Sequence, residues 1–155
     1  MKYTGLIEEF EKGAGIVAEA VKGMSGEELR KRPVAEKWST LEVVCHLADF
    51  EIVGADRVKR VIAEDRPTLP DGDENKFAAR LAYHEREIED ELRVIAGIRA
   101  QVTRILKSLK DEDFARVGNH TAAGPLTLEQ LVERMAKHVR HHVRFIEEKR
   151  AAMAR

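Results

Sequence analysis

Two histidines four residues apart, His138 and His142, stand in the run T-L-E-Q-L-V-E-R-M-A-K-H-V-R-H-H-V-R-F-I near the end of the chain. Four residues is about one helical turn, so on a helix the two imidazoles lie one above the other on a single face. At that spacing they can share a metal ion, a geometry that the zinc-protease helix motif also uses. The competing reading is a pair of hydrogen-bonded core histidines. Two adjacent unpaired imidazoles in an apolar core, however, incur the desolvation cost twice. His141 is turned about a third of a revolution away, beside Lys137 and Glu148, and is read as solvent-facing.

The helix that must carry this pair spans residues 127–150. Thr127 and Gln130 have capping-box spacing, and Leu126 with Leu131 has that of a hydrophobic staple. Leu128, Leu131, Met135, His138, His142 and Phe145 form a seam of alternating three- and four-residue steps, the face a bundle helix turns toward its partners.

Three earlier helices are expected to surround it. Residues 2–23 carry the stripe Leu6, Ile7, Phe10, Ala14, Val17 and Val21, although Gly13, Gly15 and Gly23 lower helix propensity by up to about 1 kcal/mol each. Ser25 and Glu28 box a short turn that Arg32-Pro33 should stop. Ser39 and Glu42 form another box, stapled by Trp38 and Val43, at the start of a helix over 39–63. Its apolar face collects Val43, Val44, Leu47, Phe50, Ile52, Ala55 and Val58. His46 lies on the margin of that face, and periodicity alone does not select it as a ligand. Glu51 falls near the middle and must find a partner or a water. A third long helix is expected over 75–109, striped by Phe77, Leu81, Ile88, Leu92, Ile95, Val102, Leu106 and Leu109. His84 falls on that stripe next to Tyr83, as a pocket-lining or capped core residue. The connections 64–74 and 110–126 are rich in proline, glycine and aspartate and read as loops. His120 lies in the second of them, just before the last helix, as a substrate-contacting or exposed loop residue.

The 155 residues suit one domain, 1–155, with a real core. Hydrophobic content of 43% beside 35% charge fits long amphipathic helices, and little alternation suggests strands. The formal net charge of −1, with both signs interspersed, gives no nucleic-acid footprint. No stretch approaches the roughly 18 apolar residues of a membrane span. Cys45, the single cysteine, excludes an internal disulfide and fits a reducing cytoplasm. The acidic N-terminus lacks the apolar run of a signal peptide. The fold class is therefore all-α, a four-helix bundle with sites built from side chains on facing helices.

The motifs W-S-x-x-E-x-x-x-H-L-x-x-x-E at 38–51, the Gly-Pro-Leu-Thr turn at 124–127 and H-x-x-x-H at 138–142 together resemble the DinB-like superfamily, in its YfiT-type branch. The resemblance covers nearly the whole chain. It implies a down-up-up-down bundle, usually a homodimer, with nickel or zinc held by three histidines: His46, His138 and His142. It further implies either thiol S-transfer with a low-molecular-weight thiol cosubstrate or metal-dependent hydrolysis of a small molecule. The alternative is a bundle that binds metal or ligand without turnover, such as a stress-related binding protein. Three neutral imidazoles leave a divalent metal open, as catalytic sites do. An open position can bind water and lower its pKa to about 7, or bind a thiol and strip its proton. His84, His120, Tyr83 and Glu51 are the candidates for the surrounding pocket; no catalytic residue is assigned.

Overall fold

In the computed structural model, which describes residues 1–154, four long helices form the bundle. They are α1 (Thr4–Val21), α3 (Thr40–Ala63), α5 (Ile88–Lys107) and α6 (Leu128–Met153). Two short helices, α2 (Gly26–Arg30) and α4 (Glu74–Arg80), lie in the connections. All three expected capping boxes are formed: Ser25 with Glu28, Ser39 with Glu42, and Thr127 with Gln130. Each satisfies two otherwise orphaned N–H groups, which is why these starts are sharp.

Side-chain pairs give the helix directions. Tyr3 meets Glu129, Arg140 meets Glu9 and Arg150 reaches Ala20, so α1 and α6 run parallel. His46 faces His142 while Gly54 packs on Met135, so α3 opposes α6. Asp49 joins Glu91 through Arg86, Glu51 meets Arg99 and Lys59 meets Gln101, which makes α3 and α5 parallel. The order is down-up-up-down. Two consecutive parallel helices require a connection that returns along the bundle, and residues 64–87 do this.

The expected third helix over 75–109 is broken. α4 ends at Arg80, Ala82 takes a left-handed conformation (φ 54°), and Tyr83–Glu85 form a single 3-10 turn before α5 begins at Ile88. The cause is tertiary. Tyr83 is buried against the core, and Arg86 is clamped between Asp49 of α3 and Glu91 of α5. An unbroken helix cannot place both.

The connections also hold a small sheet that the residue pattern did not suggest. Strand β1 (Thr68–Leu69) pairs parallel with β2 (Val117–His120), which forms a hairpin with β3 (Gly124–Thr127). Gly118 is needed there, because a Cβ would stand 2.7 Å from both Leu69 and Val61.

The core consists of two apolar clusters stacked along the bundle. One contains Phe10, Ala55, Val102 and Met135; the other contains Val17, Leu47, Ala48, Ile95 and Val139. Between these levels Arg99 crosses from α5 to Glu51 of α3. It donates to Glu51 Oε1 from Nε (3.0 Å) and Nη2 (2.5 Å), to the Phe10 carbonyl (2.6 Å) and to the Met135 carbonyl (2.8 Å). Gly13 leaves room for it, since a Cβ there would lie 2.2 Å from Arg99 Nη1.

Candidate metal centre

His46, in the second turn of α3, faces His138 and His142 from α6 at the level of the second apolar cluster. His46 Nε2 lies 3.0 Å from His138 Nε2 and 3.1 Å from His142 Nε2. One ring nitrogen from each of the three lies within 4.8 Å of the others, the one such cluster among the described residues. Two imidazole nitrogens on one tetrahedral metal, at the usual bond length, stand about 3.3 Å apart. His46 Nε2 thus stands within a few tenths of an ångström of ligating separation from each of the other two.

The protonation chemistry agrees. Burial, reinforced by neighbouring positive or potentially positive groups, pushes each of the three histidines down to about 3. All are therefore neutral near pH 7 and present lone pairs, the form that ligates. A neutral imidazole has one N–H, and three Nε2 atoms facing one another cannot all be satisfied by sharing protons. Nδ1 of His46 and of His142 are buried without a hydrogen-bond partner, so no acceptor of the chain fixes the tautomer of either ring. Aromatic rings shield the cluster: Trp38 lies 5.2 Å and Phe50 4.7 Å from the His46 ring, and Phe145 lies 5.6 Å from His142.

One side stays open. A cavity of about 350 Å³ is bounded by Trp38, Val43, Glu74, His142, Phe145 and Lys149, among others. Glu74, at the start of α4, places Oε2 3.7 Å from His46 Nε2 while its side chain is half exposed. Neither Glu74 nor Lys149 is marked by the residue pattern. Glu74 is brought in by the Asp73 cap that starts α4, where Asp73 accepts from Asn75 N and Lys76 N.

The remaining pocket candidates are distributed differently. Tyr83 is buried behind Trp38, with ring centroids 6.5 Å apart, and its carbonyl accepts from Cys45 Sγ at 3.6 Å. His84 is exposed rather than on an inward stripe, because the helix is broken before it; its Nε2 stands 3.3 Å from Glu42 Oε1. His84 borders a separate groove that shares Trp38 and Asn75 with the first. His120 is buried at the end of β2, not exposed in a loop. Its Nδ1 accepts from the N–H groups of Ala122 and Ala123, at 3.1 and 3.0 Å, and so holds the hairpin turn. Glu51 belongs to the Arg99 ion pair, one level along the bundle. His141 is exposed, as its rotation on the helix requires. Cys45 is fully buried and burial pushes its thiol up to about 12, which suppresses the thiolate.

This is the architecture of a metal-binding helical bundle, with three histidines on facing helices and an open side. The chain belongs to the DinB superfamily, whose model matches residues 9–146. It is similar to YfiT of Bacillus subtilis, described as "a probable metal-dependent hydrolase with an unusual four-helix bundle topology". The TM-score is 0.90 and the identity 24%, over 97% of this chain and 86% of that one, a likeness of fold. It is 32% identical to "Putative metal-dependent hydrolase GK0616" of Geobacillus kaustophilus, over 79% of this chain and 70% of the relative. It is also 29% identical to the protein YuaE of Bacillus subtilis, over 79% of this chain and 83% of that protein. No helix among the described residues is long and apolar enough to cross a membrane.

Proposed function

We propose that the chain is a divalent-metal-dependent hydrolase acting on a small molecule at a centre formed by His46, His138 and His142. The observation that carries this reading is the convergence of three neutral imidazoles from two helices, beside a cavity that reaches His142. The hydrolase names of several relatives support it. Zinc and nickel both suit such a donor set.

A divalent ion held there supplies a Lewis acid and lowers the pKa of bound water to about 7. The chain's own residues do the rest. Glu74 Oε2, 3.7 Å from His46 Nε2, would be placed to hold a proton at that face. Trp38, Phe50 and Phe145 exclude bulk water around the imidazoles and keep them neutral. Thiol S-transfer is the second reading. It needs a low-molecular-weight thiol from solution, because the only cysteine is buried with its thiolate suppressed. The proposal takes the working form to be a cytoplasmic homodimer, as the sequence resemblance implies.

Elemental analysis of untagged protein tests the centre. Wild type is expected to hold about one metal per chain and His142→Ala almost none, since a lost ligand removes the basis of affinity. Because His46 ties α3 to α6, metal at a thousandfold excess over its Kd should stabilise the fold by about 4 kcal/mol, read as a fall in Tm on chelation. Wild type that stays metal-free after reconstitution with zinc or nickel defeats the reading. Bound metal whose remaining ligands do not exchange with solvent would point instead to non-catalytic binding.

A further inference from the structure

Lys149, on α6 two turns beyond His142, is only 2% exposed. Its Nζ makes a single hydrogen bond, a long one of 3.3 Å to the Phe145 carbonyl of its own helix. The Phe145 ring lies 5.9 Å away, at the edge of cation–π range. Among the described residues no carboxylate stands within ion-pair distance of Nζ. The carboxylates whose charge acts on it are already engaged: Glu148 pairs with Lys37 at 3.2 Å, and Glu42 pairs with Arg32 at 2.9 Å while also accepting from Ser39 N.

The other deeply buried charges do not share this condition. Arg99 has Glu51, and both Asp49 and Glu91 have Arg86. A buried ammonium without a counter-charge is costly, and such groups are ordinarily paired. Burial accordingly lowers the Lys149 pKa, with Lys37 adding to the effect and Glu148 and Glu42 opposing it. Lys149 lines the same cavity as His142, between the walls of Trp38, Val43 and Phe145. The two carboxylates at that cavity, Glu36 and Glu74, are on exposed residues at its rim. The volume of about 350 Å³ suits a small molecule rather than a peptide.

We propose that this cavity binds a small organic acid with a flat apolar body, its carboxylate on Lys149 Nζ and its body against Trp38 and Phe145. The site rests on the hydrolase reading only in taking this cavity as the substrate site, and it names the class of substrate that site selects. The acid's carboxylate supplies the counter-charge that the fold withholds from Lys149, while its other end is directed toward His142.

Trp38 is the chain's single tryptophan and reports on the cavity by its fluorescence. Metal-free wild type is titrated with benzoate and with benzamide, its uncharged counterpart of similar shape. Benzoate is expected to bind at least about tenfold more tightly. The ratio should fall to within about twofold in Lys149→Met, and persist in Lys149→Arg and in Lys37→Met. Three results overturn the proposal: no preference in wild type, a preference that survives Lys149→Met, or a preference seen only after zinc loading, which puts the carboxylate on the metal. Zinc content measured on the same samples separates the two readings. Full zinc in Lys149→Met with no benzoate preference in wild type defeats the anion site alone. An intact benzoate preference in wild type that takes up no zinc defeats the metal centre alone.

Discussion

Arg99 and His46 are both 1% exposed, and each meets polar groups from other helices, yet the two sites are satisfied differently. Arg99 directs its guanidinium at one carboxylate and two backbone carbonyls, with its Cζ 4.5 Å from the Phe10 ring centroid. One atom, Glu51 Oε2, is left over. His46 faces two other bases, and the Nδ1 atoms of His46 and His142 have no partner at all. But for that one oxygen, the first cluster is closed by the chain itself. The second brings three imidazoles together at their Nε2 atoms with no hydrogen bond to a carboxylate or a carbonyl. A buried polar group that the fold satisfies acts on stability and register, whereas converging ring nitrogens that face one another are the arrangement that can hold an ion.

Breaking the closed cluster should have the largest effect on stability. Arg99→Met leaves Glu51 buried without its partner, and denaturant unfolding should show a loss of about 3–5 kcal/mol. The double variant Arg99→Met, Glu51→Leu should recover much of that loss, because no charge is then stranded. A double variant as unstable as the single one would mean that Arg99 acts through its carbonyl bonds to α1 and α6 rather than through the ion pair.

The open cluster should respond to pH instead. Each of its histidines has a folded pKa near 3, below the unfolded value of about 6.5. Between those values the unfolded chain binds more protons, so metal-free stability is full above pH 6.5 and declines as pH falls toward 3. Each histidine contributes a slope of up to about 1.4 kcal/mol per pH unit. Urea midpoints of metal-free protein between pH 7 and 5 check this, and His138→Ala should flatten the profile. A slope unchanged by that substitution would place the titration elsewhere.

Two glycines of α1 give the smallest and sharpest contrast. Gly13→Ala drives a methyl to 2.2 Å from Arg99 Nη1 and should cost about 1–3 kcal/mol. Gly15→Ala meets no atom within 4 Å and should stabilise the helix by up to about 1 kcal/mol. Thermal melts of the two variants should therefore shift in opposite directions.

Local chemistry made much of this legible. Ser39 with Glu42 and Thr127 with Gln130 mark helix starts because a cap is satisfied within four residues, whatever packs around it. The seam of α6 placed His138 and His142 together by helical geometry alone. Glu51 announced its need for a partner by falling on an apolar face, but the partner, Arg99, lies 48 residues away. The break at Ala82 escaped the residue pattern because its cause is distant: the stripe over 75–109 is continuous, and the burial of Tyr83 with the clamp of Asp49 and Glu91 on Arg86 interrupts it. The three strands escaped for the same reason, since each is at most four residues long and exists through its pairing.

The sequence by itself determined four helical stripes, their capped starts and one pair of stacked imidazoles, all of which depend on contacts within about a turn. Only the tertiary structure decided that His46 turns from the margin of its helix toward that pair, that Glu74 and Lys149 border the same cavity, and that Arg99 and Glu51 close the core beside it. Those outcomes depend on which helices are neighbours and in which direction each one runs. No periodicity within a single helix carries that information.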